Sequence, residues 1–191
     1  QGLTALQHLT ELQCNNLQIS GGQGPHGRMG HSSLRRLSLH KVVLPGMMHR
    51  LLGGASTRHL VIEAATTPLP LTPLPPSFSK ELTAALPSLE SITLCDLVLT
   101  LPGGPDNLPL QFDGWSKLVS LELRSCSFST CAIQGLSKLT ALRALHIHSP
   151  QDSDEAQVQA VAALTSLHHL TMPGLLQHLP LLTCLTALTS L

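Results

Sequence analysis

The stretch from Leu118 to Phe128 follows the pattern LxxLxLxxCxF, and its order of apolar positions returns along the whole chain. Aligned on the first residue of the pattern, copies start at Leu9, Leu34, Thr57, Leu89, Leu118, Leu142 and Leu167, at spacings of 25, 23, 32, 29, 24 and 25 residues. An eighth copy starts at Leu185 or Leu188. A unit of about 20–29 residues is a supersecondary element too small to bury its own apolar face, so copies must stack. One copy buries about five aliphatic side chains at roughly 1.5–3 kcal/mol each, while ordering about 25 residues costs about 1–2 kcal/mol apiece. Each copy therefore depends on contacts shared with its neighbours.

Positions four and six of the seven copies are Leu12 and Cys14, Leu37 and Leu39, Leu60 and Ile62, Ile92 and Leu94, Leu121 and Leu123, Leu145 and Ile147, and Leu170 and Met172. They alternate with mostly polar residues at positions three, five and seven, the period of a strand with one buried face. Parallel strands lie about 4.8 Å apart, so residues at one position of successive copies form rows across the polar face. The rows predict that Glu122 stands beside His146, Arg124 beside His148, and His40 beside Glu63, with Cys95 next in that row. The ninth position is Leu17, Val42, Ala65, Leu97, Cys126, Pro150 and Leu175. With few polar side chains there, the turn amides are expected to find backbone or water partners.

The segments returning between strands differ in character. Ser20 to Ser33 is Gly-rich and reads as a loop, and Leu101 to Asp113 is a Pro/Gly segment. Thr66 to Pro76, with five prolines, is expected to be extended, and a short helix follows from Phe78 and ends at Pro87. Helices are also expected over Ala132 to Leu139 and over Asp154 to Leu164, the latter opened by a capping box in Asp152-Ser153-Asp154-Glu155. Short strands alternating with such connections place the chain in the α/β class.

Eleven Lys and Arg balance eleven Asp and Glu, which argues against a nucleic-acid binder with its basic stripe. No run reaches the roughly 18 apolar residues of a membrane span, so no membrane insertion is expected. The five cysteines are odd in number and unclustered, and no Asn lies two residues before a Ser or Thr. Both point to reduced thiols in a cytoplasmic setting. The chain opens inside one copy and ends inside another, the expectation being a single domain, residues 1–191, cut from a longer array.

With seven copies in register, the chain resembles the leucine-rich repeat superfamily. That resemblance implies an α/β solenoid of about seven to eight repeats, with a curved parallel sheet on its concave face and irregular loops and short helices on its convex face. It also implies a scaffold that binds proteins on the concave face, without a cofactor or catalysis of its own. Leu118 to Leu139, with Cys126 followed by Ile133, Leu136 and Leu139, looks like the cysteine-containing repeats of F-box substrate receptors, so a substrate-receptor module of a ubiquitin ligase is the alternative reading. The terse units at Leu3, Leu164, Leu185 and Leu188 look like irregular intracellular repeats of flagellate algae, including proteins of the ciliary axoneme.

Three constellations bear on chemistry. His40, Glu63 and Cys95 share a row and suggest a cysteine hydrolase, but Glu63 separates the other two by about 9–10 Å of backbone, too far for an imidazole to activate the thiol. Glu122, His146 and His148 resemble a metal-ligand set, although no Cys joins them, and the bland alternative is a solvated surface. Pro70 to Pro76 satisfies a PxxP template without a nearby Arg or Lys. We therefore expect no catalytic, cofactor or metal site, and a protein partner on a mixed-charge patch of Glu122, Arg124, His146 and His148, with His40 and Glu63 as a second candidate. All five thiols are expected to be free, with Cys95 the most reactive of those on strands because it lies on the polar face.

Overall fold

The computed structural model describes residues 8–16, 33–42, 56–64, 72–73, 78–99, 114–127, 133, 135–149 and 153–191. In chain order the strands are β1 (Glu11–Asn15), β2 (Arg36–Val42), β3 (His59–Ala64), β4 (Thr72–Pro73), β5 (Ser91–Cys95), β6 (Leu97–Val98), β7 (Ser120–Arg124), β8 (Ala144–His148) and β9 (His169–Thr171). Seven of them form one open parallel sheet in the order β1-β2-β3-β5-β7-β8-β9, and β4 pairs with β6 in a separate parallel pair. The architecture is α/β.

Each strand of the large sheet begins at the third position of its copy, and the pairing follows the rows. Glu11, Arg36, His59, Ser91, Ser120, Ala144 and His169 are successive partners. Register is fixed just ahead of the strands by a repeated fork. The position-two carbonyl of one copy accepts the N–H groups of positions two and three of the next, as Thr10 does from Arg35 and Arg36 at 2.9 and 3.0 Å. The same fork recurs at Arg35, Arg58, Glu90, Val119 and Arg143, and His168 accepts from Thr189 and Ser190. That last fork, with the His169–Ser190 bridge, starts the eighth copy at Leu188 rather than Leu185.

From β2 onward every residue at positions four and six is buried, none above 6 % exposure, whereas Leu12 and Cys14 on the edge strand β1 are half-buried. Position one is buried as well; at Thr57 a polar side chain occupies it, and its hydroxyl donates to the Leu34 carbonyl at 3.3 Å. The described ninth positions, Val42, Leu97, Cys126 and Leu175, are buried apolar plugs. Cys126 Sγ donates to the Leu94 and Arg124 carbonyls at 3.3 and 3.4 Å, so it links its own turn to the preceding copy.

The turn that leads into this plug has a regularity the apolar pattern does not carry. Position eight is left-handed in five copies: Asn16 (φ 56), Lys41 (φ 54), Asp96 (φ 58), Ser125 (φ 49) and Gly174 (φ 71). That conformation turns the chain out of the strand and aims the amide at the next copy: Asn16, Asp96 and Ser125 donate to the carbonyls of His40, Arg124 and His148 at 3.0, 3.0 and 2.7 Å. The turn amides thus find backbone partners, as expected from the apolar ninth position.

Behind the sheet, helix α1 (Phe78–Ala85) forms where expected and buries Phe78, Leu82 and Ala85. Helix α2 (Glu155–Ala162) buries Val158, Val161 and Ala162. Its capping box differs from the expected one. Asp154 rather than Asp152 is the N-cap, accepting from the Gln157 amide at 2.7 Å while the Gln157 side chain accepts from the Asp154 amide at 3.4 Å. Glu155 lies inside the first turn, where it complements the positive end of the helix dipole. Of the expected helix over Ala132 to Leu139, Ile133 is helical and Gly135–Lys138 form a 3-10 turn, ending where the Leu139 amide donates to the Leu136 carbonyl; Ala132 and Gln134 lie outside the described residues. A kinked 3-10 segment, Leu175–Leu182, packs on α2. Of the proline-rich crossover, Thr72 and Pro73 run extended as β4; its other residues, the Gly-rich 20–32 and the 101–113 segment lie outside the described residues. Among the described residues no helix is long and apolar enough to cross a membrane.

Candidate functional site

On the polar face, β7 and β8 bring Glu122, Arg124, His146 and His148 together. The pairing places Glu122 opposite His146 and Arg124 opposite His148. Alternation along each strand puts all four on the side away from the core, whose intervening residues Leu123 and Ile147 are buried. Arg124 Nε donates to Glu122 Oε1 at 2.7 Å, the Thr93 hydroxyl to Oε2 at 3.2 Å, and His148 Nε2 lies 3.5 Å from Oε1. The two imidazoles are stacked, with centroids 6.4 Å apart and planes within 5°. His146 Nδ1 is 3.2 Å from the Thr171 hydroxyl. Row five therefore runs Thr93, Glu122, His146 and Thr171 across four strands, bonded side chain to side chain as two pairs, Thr93 with Glu122 and His146 with Thr171. The two threonines were missed as members of the patch, though the same row arithmetic would have included them.

Electrostatics tie the cluster to Glu122. Partial burial raises its carboxyl, but the Arg124 hydrogen bond and charge, the Thr93 hydroxyl and the neighbouring His148 outweigh that and hold it below the usual carboxylate range. Arg124 is raised in turn, chiefly by its hydrogen bond to Glu122. The carboxylate is the more enclosed partner, its side chain 21 % exposed against 58 % for the guanidinium. The second expected pair also forms, with His40 Nδ1 at 2.8 Å from Glu63 Oε2.

Cys95 lies between the two clusters, opposite Glu63 on β3 and Arg124 on β7. The expectation that it is the reactive strand thiol is overturned. Cys95 is buried, and burial, with Asp96, Glu63 and Glu122 nearby, pushes its thiol up to about 11 against the opposing pull of Arg124. Cys95 is a short side chain between the longer Glu63 and Arg124 in its row, a difference of size that alternation alone does not register. A thiol so raised, two strands away from an imidazole already engaged by Glu63, lacks the thiolate–imidazole arrangement a cysteine hydrolase needs. Cys126 is likewise pushed up to about 11, mainly by burial. The cysteines described, Cys14, Cys95, Cys126 and Cys184, are all free. Among the described residues no group of three or more His, Cys, Asp or Glu is arranged to hold a metal ion.

Beside the patch the sheet opens. Pairing between β8 and β9 ends at His146 and Thr171, and two residues later Pro173 has no N–H with which to continue a ladder. A recess of about 490 Å³ lies there, lined by Ser125, Ile147, His148, Ser149, Thr171, Met172 and Pro173. The Met172-Pro173 step was the sequence signal for it. Comparison with known proteins finds no matching family model and no matching curated protein.

Proposed function

We propose that this chain is a leucine-rich repeat solenoid acting as a non-catalytic scaffold, which binds a protein partner on its concave face around Arg124. One observation carries the reading: on two adjacent strands, and on a face that the core does not use, Arg124 and His148 both meet the Glu122 carboxylate while His146 stacks on His148. Arg is favoured at interface hot spots, and the recess beside His148, which has buried Ile147 and Met172 in its lining, suits an apolar anchor. The four free cysteines described favour a reducing, cytoplasmic setting, including cytoskeletal or axonemal structures.

The test replaces Glu122, Arg124, His146 and His148 together by alanine. A partner recovered with the parent chain should be lost, while the circular dichroism spectrum is kept. Binding unchanged in the quadruple variant but abolished by deleting residues 66–76 would move recognition to the proline-rich crossover and overturn the concave-face reading.

A further inference from the structure

Although the chain is neutral overall, six of its eleven Lys and Arg but only two of its eleven Asp and Glu fall within the first 63 positions. The fold concentrates part of this excess at one corner of the polar face. The Arg35 carbonyl accepts the amides of both Arg58 and His59, at 2.8 and 3.0 Å, and Arg36 is the ladder partner of His59. Arg35 and Arg58, each the residue just before its strand, are thus neighbours, as are Arg36 and His59 at the first positions of β2 and β3. Among the described residues counter-charge reaches them from the flanks: Glu11 is 3.7 Å from Arg36, and Glu90 is 3.0 Å from Arg58, both arginine side chains remaining at least half exposed. Arg35 is exposed and has no carboxylate partner among the described residues. Arg35 and Arg58 are like charges side by side, and among the described residues only Arg58 of the two meets a carboxylate, so an anionic partner is favoured there.

We propose that this corner binds an extended acidic segment of a protein partner, carrying carboxylates at alternate positions. The geometry fits that chemistry. Ser38 and Val61, the next pair on the polar face of β2 and β3, and Ser91 beside His59 are all short, so no long side chain in these positions bars a peptide backbone. Alternate residues of an extended peptide lie about 6.5–7 Å apart, a span that lets two carboxylates each meet a guanidinium of this corner. A nucleic acid is disfavoured, because Glu11 and Glu90 interrupt the basic track on both sides where successive phosphates would have to lie. The site shares a face with the Arg124 patch but sits on different strands, so each can fail without the other.

The experiment measures fluorescence anisotropy of a labelled decapeptide alternating Glu and Ser, titrated with the full 191-residue chain. Binding should weaken by about tenfold in Arg35→Gln/Arg58→Gln and stay unchanged in the quadruple alanine variant of the Arg124 patch. Melting temperature supplies the control for folding: Arg35→Gln should melt no lower than the parent, because it removes repulsion, whereas an arginine serving only the fold would lower it. Failure of the peptide to bind, binding indifferent to the Arg35/Arg58 substitutions, or an equally tight grip on a single-stranded oligonucleotide would overturn the proposal. The last result would make the corner a general polyanion site.

Discussion

The left-handed residue at position eight allows a stability change to be worked out from backbone geometry alone. Lys41 and Ser125 hold φ of 54° and 49°, and both side chains are exposed, so replacing either by glycine removes no packing. An L-residue in this conformation costs roughly 1–2 kcal/mol, while the extra freedom of glycine in the unfolded chain returns roughly 0.5–1 kcal/mol of that. The net gain is about 0.5–1 kcal/mol per site. The Ser125 turn bond is made by the backbone amide and survives the change. The two sites lie in non-adjacent copies, so their effects should add, and Lys41→Gly/Ser125→Gly should gain about 1–2 kcal/mol. At this chain length that is about 2–8 °C in melting temperature. Calorimetry and urea titration of the parent, both single variants and the double variant would measure it. Gly174→Ala, at φ 71, supplies the opposite sign and should lose about 1 kcal/mol. If both glycine variants are destabilised while Gly174→Ala is neutral, position eight is not left-handed and the account of the turns is wrong.

Leu121→Asp, which places an unpaired carboxylate at a fully buried position, should destabilise by several kcal/mol, whereas Ser120→Asp one residue earlier on the polar face should change little; equal losses in denaturant titration would show the register to be off by one. Iodoacetamide at pH 8 followed by mass spectrometry should label exposed Cys184 first, half-buried Cys14 next, and Cys95 and Cys126 last; Cys95 modified as fast as Cys184 would refute its burial. Because both buried thiols stay neutral up to about pH 11 when folded but ionise near 9 when unfolded, stability should be unaffected below about pH 8 and fall as pH rises from about 9 to 11, a loss that Cys95→Ser/Cys126→Ser would remove.

The strands and their rows were legible because the alternation of Leu121, Glu122, Leu123 and Arg124 states both the period and the face, and copies at regular spacing leave one register that buries every apolar pair. Hence Glu122 beside His146 and Arg124 beside His148 followed from counting. Two things did not follow. Alternation says which way Cys95 points but not what ends the strand beyond it, and the left-handed turn at Asp96 depends on φ, not on hydropathy. The residues at position eight, Asn16, Lys41, Asp96, Ser125 and Gly174, do carry a trace of it, since four of the five are turn formers. The 3-10 turn at Gly135–Lys138 escaped for a related reason: Ile133, Leu136 and Leu139 are spaced by three, and all three are buried, which a 3-10 turn satisfies as well as a helix does.

The arrangement around Glu122 also bears on what kind of contact Arg124 can make. Glu122 is mostly enclosed and takes Nε of the guanidinium at 2.7 Å, while the Thr93 hydroxyl occupies its other oxygen. The ion pair therefore does not use up the arginine. A guanidinium has five N–H donors in a fixed fork, so the Nη groups still project from a side chain that is 58 % exposed. A freely rotating arginine would give up much rotamer freedom on binding; one already held by an enclosed carboxylate gives up less, and the saving appears as affinity. Glu122 thus acts on a partner by positioning Arg124. The stacked His146 and His148 flank that position from the next strand, so a partner that reaches Arg124 meets both imidazoles as well.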